Sequence, residues 1–195
     1  MQTRNFAISA LALGLLALSG CERKEETVVT PASPPPATAP AAPAAPSVAV
    51  PQTDSDFAMK AAASGLAEVE ASRAISEKTA SEPIRQFAQM MITDHTAANQ
   101  ELMTIAQTKQ LTLPTAPDTT HQEALGRLKT AMGAEGDRIY VQEFGIKAHQ
   151  DAVALFEREA NEGTDPELKA FAAKTLPTLK THLEHAQRTA DALPK

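Results

Sequence analysis

The chain has one cysteine, one tyrosine and no tryptophan among its 195 residues. A single thiol, Cys21, cannot close an intrachain disulfide or build a thiolate zinc site. Beyond residue 54 there is no alternating run of β-branched residues, which excludes a sheet as the organising element. No apolar stretch reaches the roughly 20 residues that cross a bilayer. Basic residues are in the minority, 18 against 24 acidic, and form no stripe. A nucleic-acid partner and a surface of anionic headgroups are therefore both disfavoured. Neither a phosphate-binding loop nor a glycine-rich cofactor fingerprint occurs, and nothing in the spacing suggests a Ser-His-Asp triad.

What is present divides the chain in three. The opening "MQTRNFAISALALGLLALSGC" has a basic residue, Arg4, then roughly a dozen apolar residues ending in small ones, the pattern of a secretory signal. Its last four residues, Leu18-Ser19-Gly20-Cys21, resemble a bacterial lipobox, so residues 1–20 are expected to be cleaved and Cys21 to carry lipid. Glu22, in place of Asp, points by resemblance to the sorting rule of enteric bacteria toward the outer membrane, with the protein facing the periplasm. Residues 21–53 hold eight of the fourteen prolines and little that could pack. Such a Pro/Ala sequence favours an extended tether at about 3.1 Å per residue. The partner expected for this N-terminal segment is the membrane, through the lipid.

Residues 54–195 are long enough for one domain with a sizeable core. Their apolar pattern is helical almost throughout, and Ala, Leu, Glu, Lys and Gln abound. Helices are predicted from 54 to 79, from 81 to 110, from 120 to 131, from 135 to 161 and from 165 to 193. Ser81, the pair Thr120 and Glu123, and the pair Thr164 and Glu167 read as N-terminal caps. Pro177 falls inside the last helix, where it would free the carbonyl of Ala173 and kink the chain. "EPIRQFAQMM" (82–91) weakly echoes "DPELKAFAAK" (165–174). Two similar hairpins joined by a long connection with a short extra helix predict an all-α four-helix bundle.

Four segments, "FAMKAAASGLAEVEASRAISEK", "FAQMMITDHTAANQEL", "HQDAVALFEREA" and "ELKAFAAKTLPTLKTHLEHA", resemble in order the bacterial domain-of-unknown-function 4142 family. That resemblance spans 54–195 and implies a ferritin-like bundle in the cell envelope. It implies no activity.

The chemistry, if any, lies in polar residues within the apolar stripes. His95 shares a face with Phe87, Met91, Ala98 and Leu102; Glu68 lies within about 20° of the face of Phe57, with Ser64, Ser72 and Ile75 nearby. His149 follows Ile146 and precedes Val153 and Phe156; His182 sits between Leu179 and Ala186. Glu68 and His95 are each about 20 Å from the turn near Ser81, and His149 is a similar distance from the turn at Gly163. His182 is about 28 Å along and is expected to miss this level by a turn unless Pro177 or a tilt corrects it. Two readings follow. Glu68, His95, His149 and His182, with Asp94 behind them, could bind iron, zinc or copper for storage, sensing or redox protection. Alternatively each imidazole is a core residue that fixes helix register, in a binding or structural module without turnover. The chain has no Glu-x-x-His, so a ferritin-type di-iron centre is not expected. Met90, Met91 and Met103 read as core filling, Tyr140 as a core ring with its hydroxyl at the rim, and His185 with Glu184 as a wet edge.

Overall fold

The structure, a computed structural model, describes residues 49–193. The signal segment, Cys21 and nearly all of the expected tether lie outside the described residues. Helix α1 is Gln52–Ser76, α2 Glu82–Thr108, α3 Thr119–Thr130 and α4 Gly133–Ile139. A π-helical segment, Tyr140–Lys147, leads without a break into α5, Ala148–Glu162, and α6 is Pro166–Asp191. The helices begin and end within a few residues of where periodicity places them, and α1 starts two residues early.

The long helices form a ring in which α1 packs on α2 and α5, and α6 on α5 and α2. Two knots show which ends meet. At one end, Asp54 at the start of α1 accepts hydrogen bonds from the backbone N–H and hydroxyl of Thr164 at 3.0 and 2.7 Å. Lys109, just past α2, pairs there with Asp165 at 2.7 Å and Glu167 at 2.6 Å. At the other end, Lys78 in the α1–α2 turn donates to the carbonyls of Leu128 and Lys129 at the end of α3. Neighbouring helices therefore all run antiparallel, and the connection after α2 must travel the length of the bundle, carrying α3 along α1.

The caps differ from expectation. Ser81 occupies the N-cap of α2, but its side chain makes no cap bond. Asp118, rather than Thr120, caps α3 by accepting from the N–H of His121 at 3.0 Å. Asp165 caps α6 through the N–H groups of Glu167 and Leu168, while Thr164 is drawn away to Asp54. In each of the last two places an Asp carboxylate supplies the acceptor at the N-terminus, where negative charge is favoured. Helix α6 runs through Pro177. Pro177 and Ala173 are both exposed, so the carbonyl that lost its donor faces solvent.

The core falls into two apolar clusters. One gathers Ile75, Ile84, Phe87, Met91, Leu128, Tyr140 and Phe144. The other gathers Phe57, Leu102, Phe156, Leu168, Phe171 and Leu179. Met91 and Leu102 on α2 belong to different clusters, as do Leu179 and Ala186 on α6; His95 and His182 lie between them in sequence. A layer of polar side chains thus divides the core.

Candidate metal centre

That layer contains Glu68 from α1, His95 from α2, His149 from α5 and His182 from α6, all buried. One ring nitrogen from each of His95, His149 and His182 lies within 4.8 Å of the others. The ring centroids are 5.3–5.4 Å apart. His182, expected a turn too far along, is in the group. Cα–Cβ bonds lean toward the N-terminus of their helix. On antiparallel α5 and α6 this tips His182 back toward the Gly163 turn and His149 away from it, so the two side chains close the gap between their backbones.

Each imidazole has one nitrogen engaged by an acceptor. Nδ1 of His95 meets Oε2 of Glu68 at 2.8 Å. Nε2 of His182 meets Oδ2 of Asp94 at 2.9 Å. Nδ1 of His149 meets the carbonyl of Phe144 at 3.0 Å. The π segment explains the last contact. The N–H of Ala148 bonds back five residues to Glu143, and when pairing returns to four residues the carbonyl of Phe144 is skipped and left to the histidine. Carbonyl and carboxylate oxygens only accept, so these three nitrogens carry hydrogens. The remaining nitrogens are Nε2 of His95, Nε2 of His149 and Nδ1 of His182. The first has no partner, and the other two face one another at 3.3 Å.

Charge in the layer is unevenly held. Burial works against ionising Glu68, but the charges of His95 and His149 outweigh it and hold the carboxyl at about 2. For His95, burial opposes protonation and the Glu68 carboxylate overcomes it, so its pKa is raised. Burial pushes His149 down to about 4, assisted by repulsion from His95 and His182. His182 is lowered by burial and by the charge of His95.

Of the residues singled out in the sequence, Glu68, Asp94, His95, His149 and His182 come together. Glu68 takes a different place from the one anticipated, since its Oε2 lies against the outer nitrogen of His95; Oε1 has no hydrogen-bond partner and is 3.7 Å from Nδ1 of His149. Asp94 orients His182 across the helix pair. The methionines do not join: Met91 is buried in the core and Met103 is 50% exposed. Two neighbours depart from expectation. Tyr140 is fully buried, with its hydroxyl 2.8 Å from Oγ of Ser72 inside the bundle. His185, rather than standing in water, is half-buried and stacks on Phe87, with rings 5.1 Å apart and 5° from parallel. Sequence reasoning missed the carbonyl of Phe144, for which no side-chain signal exists. It also passed over His121, which sits on α3 beside Glu68 and whose charge helps to hold that carboxyl down.

The fold is similar to that in the crystal structure of a DUF305 fragment from Deinococcus radiodurans. The match has a TM-score of 0.67 at 12% identity and covers 75% of this chain and 100% of that one. No curated protein matches the chain. The family model of a domain of unknown function, DUF4142, matches residues 37–189, and the chain belongs to that family.

Proposed function

We propose that the bundle binds a divalent first-row transition ion through His95, His149 and His182, in an envelope lipoprotein anchored at Cys21. The observation that carries this reading is the contact between His149 and His182. Phe144 and Asp94 fix the hydrogens of these rings on their outer nitrogens, so two bare nitrogens meet at 3.3 Å with nothing to attract them. A cation bound by both turns that repulsion into coordination, and His95 supplies the third nitrogen. Three imidazoles with a fourth position open suit zinc, copper, iron or cobalt. Glu68, Asp94 and the Phe144 carbonyl act as the outer partners that orient ligating histidines. Ring nitrogens up to 4.8 Å apart must draw in to reach ligand distances of about 2.0–2.1 Å from one ion, a modest side-chain movement.

Titration of the metal-stripped protein with Co(II), followed by visible absorption, tests this. One equivalent should give the intense bands of a low-coordinate nitrogen site, and His149→Ala should abolish them. If Co(II) gives no such bands and elemental analysis of protein purified from its native host finds no metal, the histidines serve only to fix helix register.

A further inference from the structure

A cavity of about 450 Å³ lies against the histidine layer. Glu68 and His95 form part of its wall, whereas His149 and His182 do not line it. These two wall residues carry buried polar atoms without partners, Oε1 of Glu68 and Nε2 of His95. Most of the remaining wall is apolar, with Ala61, Ala98, Leu102, Ala152 and Phe156. Ser64 and Asn99 add hydrogen-bonding groups. Gly65 makes room for the latter: a Cβ there would stand 2.1 Å from Oδ1 of Asn99. A largely apolar space of this size with a few convergent polar groups is how small-molecule sites are built.

Charge among the lining residues has a sign. Each of the three lining carboxylates lies beside a basic side chain: Glu68 is 2.8 Å from His95, Asp118 is 2.9 Å from His121, and Asp151 is paired with Lys147 at 2.9 Å. Lys60 and Arg158 are exposed and make no ion pair among the described residues. We infer that the cavity is the ligand pocket of the histidine centre and admits a small organic carboxylate with a compact apolar body, whose oxygen takes the open fourth position on the ion. Lys60 and Arg158 draw the anion in, the alanine and phenylalanine walls take its body, and the Asn99 amide lies within reach of a carboxylate oxygen. No bond is made or broken in this step beyond coordination.

The inference rests on the metal reading, and the experiment separates the two. The full chain is loaded with Co(II) and titrated with benzoate. A saturable change in the Co(II) bands is expected. In Ala98→Phe, which fills the cavity, the response should weaken at least tenfold while Co(II) affinity is kept. In Lys60→Glu, an exposed change that reverses local charge without touching the core, benzoate affinity should fall several-fold. Co(II) bands that ignore benzoate would overturn the pocket and leave the metal site standing. A benzoate response unaffected by either variant would place the ligand's route elsewhere and also overturn it. Failure to bind Co(II) would remove both readings.

Discussion

At the scale of single residues, two buried carboxylates, Glu68 and Glu159, differ in kind. Glu68 is ionised and points its charge at His95. Replacing an outer partner of a ligating histidine commonly costs 10–100-fold in metal affinity. Glu68→Gln should therefore weaken Co(II) binding by that factor while keeping the band pattern, as a competition titration would measure. Glu159, at the far end, behaves oppositely. It is buried, and burial together with the neighbouring charges of Asp54 and Asp165 pushes its carboxyl up to about 7, against a smaller pull from Lys169. The folded state thus holds a proton that the unfolded chain releases near pH 4.5. The sign follows: the stability contributed by this group is complete below about 4.5 and is lost as pH rises through about 7. From pH 5 to pH 8 the denaturant midpoint of the parent should therefore fall relative to that of Glu159→Gln, which is neutral at this position throughout. An unchanged slope in the variant would mean that Glu159 titrates normally.

At the scale of elements, two poor helix formers sit inside helical segments for different reasons, and replacing each with alanine should give opposite results. Pro177 lies on the exposed face of α6 and withholds a backbone donor. Pro177→Ala restores the hydrogen bond and should stabilise the domain by about 1–3 kcal/mol. Gly145 lies in the π segment, where a Cβ would come within 2.9 Å of Ala186 and 3.3 Å of Phe87. The propensity gain of up to about 1 kcal/mol is outweighed by overpacking of about 1–3 kcal/mol. Gly145→Ala should thus destabilise, and chemical denaturation of the two variants checks both signs. These positions also show what was legible in the sequence. Helices, turns and the inward set of His95, His149 and Glu68 follow from a period of 3.6 residues, which the chain obeys over most of its length. The π segment breaks that period, and no residue type announces it. The level of His182 was misjudged because counting rise along an axis ignores the tilt of side chains toward the helix N-terminus. The caps at α3 and α6 were misassigned by a few residues, since Ser, Thr and Asp are interchangeable signals until tertiary partners such as Asp54 choose between them.

At the scale of the whole molecule, the histidine layer interrupts the core with polar groups, and removing them from water is costly when they are incompletely paired. An ion that binds only the folded form offsets that cost. At a free Co(II) or Zn(II) concentration a hundredfold above Kd the gain is about 2.7 kcal/mol. For a domain of this size the melting temperature should rise by roughly 5–10 °C. Differential scanning calorimetry with and without a chelator measures this, and the rise should vanish in His95→Ala. Anchoring is a separate matter. The acyl chains proposed at Cys21 would stabilise membrane attachment by about 0.8 kcal/mol per buried methylene, and on that proposal Cys21→Ala should move the protein from the membrane fraction to the soluble one. Retention of that variant on membranes would assign the attachment to something other than lipid.

The histidines are divided between the two hairpins, His95 on the first and His149 with His182 on the second. A chain in which the hairpins have formed but not docked offers an ion at most two imidazoles. The third arrives only when the hairpins dock, and if docking follows the transition state the ion's contacts are absent from it. Interactions missing from the folding transition state act on the rate of unfolding and leave the rate of folding almost unchanged. The ion would then serve as a clasp on a finished bundle: it would lengthen the life of the native state and do little to hasten its birth.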